Sequence, residues 1–289
     1  METVSIHLPG YPGLRSGTLA VHAFRITLAV ALAFALLVAP IPTTTLRPRT
    51  VHEFEKYAAL IEQQLNERWS GTRPFLAIDE SLQEKSKVLA GEMLIRPGTE
   101  ANPISISNGL IHDWLGDVFI PNTTVAKVLG ILQNYDRHHE IYPEVIESRL
   151  IERKGNDVKG YWRLERKNPI VTVDFDVYQD AHYEQIAPSK WVCRAYAKDI
   201  SEVDNPGSSG EKKYSPGEGS GFLWRVYAYW SLQEMSGGVL AENRSLSLSR
   251  DIPLAVSWII KPFVQDVPRQ SLESTLKNTR RAVASAPLN

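Results

Sequence analysis

The ionisable residues with most chemical promise in this chain sit where charges are unusual, on segments that otherwise alternate as half-buried strands. Glu242 and Arg244 share a face with Leu240, Leu246 and Leu248, and His112 lies among Leu110, Trp114 and Val118. A charge set into an apolar face is costly unless it has a partner or a task. Two readings follow. In one, the group is an internal ion pair with a hydrogen-bonded histidine, or a bulge turns the charges outward. In the other, it is the polar end of an apolar pocket that orients a ligand head group. A catalytic version of the second reading makes His112 or Glu242 a general base.

Other constellations point less far. Asp136, His138, His139 and Glu140 include metal-ligating types, but adjacent residues on a helix diverge by about 100° and no His-Glu-x-x-His pattern accompanies them. They read as a helix terminus with histidines near the negative end of its dipole. Gly217-Glu218-Gly219-Ser220-Gly221 matches neither a phosphate-binding loop nor a nucleophile elbow and reads as a flexible loop. Cys193, alone and on an apolar face, reads as an inert thiol. Arg153, Lys154, Arg163, Arg166 and Lys167 read as the solvated face of a hairpin. Neither a metal nor a cofactor is expected.

The chain has 289 residues, 43% of them hydrophobic, which is ample for a sizeable core. Lys and Arg number 32 against 33 Asp and Glu, so there is no broad positive field and nucleic acid is not an expected partner. From Ile26 to Val38 runs an uncharged stretch, preceded by Arg15 and Arg25 and closed by Pro40 and Pro42. It is shorter than the about 20 residues a membrane span needs and resembles the apolar core of an export signal. The expectation is export or anchoring through this segment, on the periplasmic or extracellular side in a bacterium, with membrane association as a corollary. Residues 1–41 are then a signal peptide or membrane anchor and 42–50 a Pro- and Thr-rich linker.

Phe54, Tyr57, Ile61 and Leu65 fall at helical spacing and mark an amphipathic helix ending near Ser70-Gly71, within an N-terminal helical extension over 51–103 that packs on the main domain. Lys87 to Arg96 reads as a strand or a short helix. Leu110 to Ile120 alternates as a strand, and Val125 to Tyr135 follows as a helix opened by Asn122, Thr123 and Thr124. About six strands fit between Val145 and Leu248 at ordinary strand lengths, with one extended loop from Ser201 to Gly219. Pro253 to Ile260 and Pro268 to Val283 read as helix, broken or kinked between Pro262 and Pro268. The strand faces predicted to look inward carry Trp162 and Leu164; Val171, Val173, Phe175 and Val177; Trp191, Cys193, Ala195 and Ala197; Phe222, Trp224, Val226, Ala228, Trp230 and Leu232. Any one of these aromatics is either ordinary core or cavity wall. The order of elements defines an α+β domain over 104–285: a curved antiparallel sheet wrapped around a long C-terminal helix, with an extra N-terminal helix.

That order, together with Val118-Phe119-Ile120-Pro121 and the helix after it, Tyr135-Asp136-Arg137-His138-His139-Glu140-Ile141-Tyr142-Pro143, and Ser247-Leu248-Ser249-Arg250-Asp251-Ile252-Pro253 leading into Trp258 and Pro262, resembles the START/polyketide-cyclase (SRPBCC) superfamily over roughly Leu110 to Val283. The resemblance implies a helix-grip fold enclosing a hydrophobic small molecule such as a lipid, isoprenoid or quinone, or else a cyclase or dehydratase acting on a polyketide or aromatic substrate in the same cavity. The expected ligand-binding residues are His112, Trp114, Trp162, Phe175, Trp191, Trp224, Trp230, Glu242, Arg244 and Trp258.

Overall fold

The computed structural model describes residues 43–167, 172–251 and 257–285. The apolar N-terminal run, with the expectation of export, lies outside the described residues, as do Val171 and the side chain of Trp258. Among the described residues no helix is long and apolar enough to cross a membrane.

Helix α1, Pro48–Trp69, buries Phe54, Ala58, Ile61 and Leu65 along one stripe. Proline in its first turn sacrifices an N–H that has no intrahelical partner there, and Gly71, at φ +84°, turns the chain away after its end. A 3-10 turn, Ala77–Glu80, leads to α2, Leu82–Leu89, where the Ser81 hydroxyl accepts from the Glu84 N–H at 3.3 Å. The stretch read as strand or helix is both: α2 ends, Gly91 reverses the chain at φ +104°, and β2 follows over Met93–Pro97. The expected linker is also ordered, since β1, Thr44–Thr45, pairs with β10, Glu218–Gly219, and α1 begins at Pro48.

Then come β3, Ile104–Ile106, and β4, Gly109–Pro121; α3, Val125–Leu132; a 3-10 turn over Tyr135–Arg137; and α4, a single turn at His138–Ile141. The meander consists of β5, Val145–Lys154; β6, Asp157–Lys167; β7, Thr172–Ala187; β8, Lys190–Asp204; β11, Arg225–Met235; and β12, Gly238–Arg250. The expected loop over 201–219 is shorter than it reads, because β8 runs on to Asp204 and pairs with β9, Lys212–Lys213. Helix α5, Ser257–Ser285, closes the described chain.

The strands form one ten-stranded antiparallel sheet in the order β2-β4-β12-β11-β8-β7-β6-β5, with β3 on β4 and β9 on β8. Both faces of its β4–β12–β11 region are buried. On the inner face Leu272, Leu276 and Val283 of α5 pack with Val118, Ile120, Leu232 and Ala241. On the outer face α1 packs Phe54, Ile61 and Leu65 against Ile111, Tyr227, Tyr229 and Leu246, and the 3-10 turn and α2 add Ile78 and Val88 against Val192 and Leu240. The expected helix-grip arrangement is present, an antiparallel sheet with a long C-terminal helix packed on one face, and an N-terminal layer covers the other.

Of the kink or break expected at the prolines, the break does not occur: α5 is one helix through Pro262 and Pro268. Each proline costs about 3 kcal/mol in a helix interior. Burial of Leu272, Leu276 and Val283, at about 1.5–3 kcal/mol each, offsets most of that. The helix packs tightly on β4 at Gly116, where a Cβ would stand 2.5 Å from Leu276 Cδ1 and 2.9 Å from Ile95 Cδ1. Gly116→Ala therefore forces helix and sheet apart and should lower stability by about 1–3 kcal/mol in urea denaturation. An unchanged midpoint would mean that α5 is not seated tightly on this strand.

Candidate functional site

Cross-strand register places three parallel rows of side chains on the inner face. From β7 to β12 the middle row is small, with Ala181 paired to Ala195, Ala195 to Ala228 and Ala228 to Ser245, and on β4 it ends at Trp114. Beside it run Tyr183, Cys193, Trp230 and Asn243, and on the other side Ala197, Val226, Ser247 and His112. Over this floor of small residues lies a cavity of about 290 Å³. Val267, Ser271, Leu272 and Thr275 of α5 form another wall, and Tyr135, His138 and Tyr142 close it from the α3–α4 side.

His138 is buried in an aromatic stack, 4.8 Å from the Tyr135 ring and 5.7 Å from that of Trp162 by centroid. The Trp162 indole N–H donates to His138 Nδ1 at 3.0 Å, which requires the proton on Nε2, and Nε2–H donates to the Ile131 carbonyl at 3.3 Å. The Tyr135 ring reaches this position because Gly160 has no side chain; a Cβ there would lie 2.1 Å from Tyr135 Cδ1. Burial pushes the imidazoles of His138 and His112 down to about 4, so both are neutral at ordinary pH. Burial also pushes the Cys193 thiol up to about 12, too high for a thiolate nucleophile near neutrality. Arg166 does not stand on a solvated hairpin face; it lines the cavity, paired with Glu144 at 3.2 Å and hydrogen-bonded to Ser271.

Of the residues singled out from sequence, His112, Trp162, Phe175 and Trp230 meet at the cavity. Trp114 and Trp191 face inward but pack into the core beyond its edge. Trp224 packs on the outer face under α1, since the chain leaves the extended conformation over 221–224 and strand alternation does not carry back to it. Glu242 and Arg244 share a face with Leu240, Leu246 and Leu248, as read from sequence, but that face is the outer one.

Arg244 donates to Asp113 at 2.9 and 2.6 Å, and Glu242 accepts the Ala77 N–H at 2.7 Å beneath the 3-10 turn. Glu242 is therefore not placed to be a base in the cavity, and Arg244 is an ion-pair partner. The polar residues on the cavity side of β12 are Asn243, Ser245 and Ser247, which sequence reading passed over. The signal was available: the amphipathic N-terminal helix requires an apolar face, and the leucines of β12 supply it.

Two predictions test the outer-face assignment. Arg244→Leu strands the fully buried Asp113 and should cost about 3–5 kcal/mol of stability; a loss of ligand affinity with unchanged stability would contradict this placement. Burial, with the Asp117 carboxylate alongside, holds the Glu242 carboxyl well above the usual carboxylate range. A group whose value is raised on folding contributes stability at low pH and loses it as pH rises. Glu242→Gln retains an acceptor for Ala77, so its stability relative to the native chain should be unchanged near about pH 4 and higher at about pH 8. Urea denaturation at both ends measures the difference, and a gain confined to acid would reverse the assignment.

No family model and no curated protein matches the chain. Solved structures do. A STAR-related lipid transfer protein fragment from Xanthomonas axonopodis is 17% identical, covers 67% of this chain and 99% of its own, and superposes with a TM-score of 0.42. Human STARD10 is 12% identical over 72% of this chain and 79% of its own, with a TM-score of 0.42. The Zhui aromatase/cyclase from Streptomyces sp. R1128 is 9% identical over 60% of this chain and 94% of its own, with a TM-score of 0.36.

Proposed function

We propose that this protein binds an apolar small molecule between the sheet and the C-terminal helix, as a carrier or sensor. The observation that carries this reading is the cavity of about 290 Å³ over the cross-strand row Ala195, Ala228 and Ser245. Interiors are close-packed, and space on this scale is not left by ordinary packing. Trp162, Phe175, Trp230, Val226 and Leu272 give the walls an apolar character. Entry of a ligand would be driven by removal of its apolar surface from water, at roughly 25 cal/mol per Å². A lipid, an isoprenoid or a quinone meets that description, and export or membrane anchoring of the protein is supported by the N-terminal apolar run. The cyclase or dehydratase reading keeps only His112 of its two bases, and burial makes that imidazole a weak one.

Native mass spectrometry of the full chain purified from its own host should reveal a co-purifying apolar molecule. Ala228→Phe sets a ring on the cavity floor, and should abolish uptake of the probe 1-anilinonaphthalene-8-sulfonate while the far-ultraviolet circular dichroism spectrum is retained. Undiminished probe binding by a folded Ala228→Phe protein would remove the cavity as the site.

A further inference from the structure

The wall formed by β4 and β12 carries a chemical instruction that the rest of the cavity lacks. His112 is fully buried and lines the cavity. Its Nε2 lies 3.0 Å from the Ser249 hydroxyl, and that hydroxyl directs its own proton to the Arg250 carbonyl at 3.3 Å. With Ser249 as the donor to that carbonyl it accepts from His112, and on that basis we assign the imidazole proton to Nε2. Nδ1 is left with a bare lone pair, buried and without a hydrogen-bond partner. A buried acceptor in that condition costs free energy until a donor reaches it.

The neighbouring groups are neutral and can complete such a contact. Ser247 pairs across the strands with His112, and Ser245 and Asn243 follow it along the same face of β12. Among the described residues that line the cavity, Arg166 is the one cation; it is paired with Glu144, and on β6 it is separated from β4 by four strands in the sheet order. A carboxylate brought to the β4–β12 wall would therefore arrive without a counter-ion on that wall. An ester, ether, ketone or quinone oxygen could accept from serine or asparagine but offers nothing to Nδ1. A hydroxyl satisfies both demands, donating its proton to Nδ1 and accepting from a serine or asparagine.

Resting on the ligand-binding role of the cavity, we propose that this wall recognises a hydroxyl group, so that the molecule carried is an apolar alcohol or phenol. A quinol fits this chemistry and the corresponding quinone does not.

The test is isothermal titration calorimetry of the full chain with dodecan-1-ol, 1-methoxydodecane and dodecanoate, which share one chain and differ at the head. Dodecan-1-ol should bind about tenfold more tightly than either of the others, the size of one net hydrogen bond. His112→Phe should bring the alcohol down to the level of the ether and leave the ether unchanged. Nitrogen-15 NMR of the native chain supplies a reading independent of any variant: Nδ1 of His112 should be unprotonated, and its resonance should move on addition of the alcohol and stay fixed with the ether. Equal affinity for alcohol and ether, or a proton on Nδ1, overturns the hydroxyl assignment while the carrier role stands. Failure of all three to bind removes the carrier role, and this assignment with it.

Discussion

Asp113 has no exposure to water, and a carboxylate in that position has to be surrounded by donors. Arg244 of β12 and the Tyr57 hydroxyl of α1, at 2.6 Å, supply them, while Asn102 bonds both the N–H and the carbonyl of the same residue. Gly98 lies so close that a Cβ there would stand 2.2 Å from the carboxylate. A helix, a loop and two strands thus converge on one charge. Because successive side chains of a strand point to opposite faces, holding Asp113 outward holds His112, Trp114 and Gly116 inward. A slip of one residue would expose the charge to the apolar interior and draw the cavity's histidine out of it.

The outer face repeats this solution. Asp117 is bridged to Arg96 and lies opposite Glu242 across the strands, while Glu62 accepts from Tyr196 at 2.8 Å and from Tyr229 at 3.0 Å. Glu53 takes the Ser107 N–H at 2.7 Å. The N-terminal layer is therefore fastened by ions and hydrogen bonds as well as by its apolar stripe. The inner face is built from neutral groups, with the Arg166–Glu144 pair as its ionic element among the described lining residues. This division of labour leaves the back of the sheet rigid and the cavity side weakly polar.

Periodicity in the sequence was enough to place the meander, the helix after β4 and the helical grip, because hydrophobic alternation and turn chemistry are local properties. It also separated the two faces of β11 and β12 correctly. Which face looks at the ligand is not local. The pattern Leu240, Glu242, Arg244, Leu246, Leu248 is the more apolar side of its strand and so resembles a cavity wall, yet α1, far away in sequence, covers it. Whether α5 breaks at its prolines is likewise not local, since burial of residues after Pro268, against a sheet formed elsewhere in the chain, decides it. His138 was read as part of a helix terminus near the negative end of its dipole because its stacking partner, Trp162, is distant in sequence and comes near only through the β5–β6 hairpin.

The persistence of the cavity follows from where bulk is placed. Large rings stand at its margins, with Tyr135, His138 and Trp162 stacked on one side and Trp230 on another, while alanine and serine occupy the floor between. The stack cannot collapse inward without breaking the Trp162–His138–Ile131 chain of hydrogen bonds. The helix cannot collapse onto the floor either, because Leu276 and Leu272 already rest in the notch at Gly116. The same contacts that stabilise the domain therefore hold open a space that the protein's own side chains do not fill, and His112 is among the residues that line it.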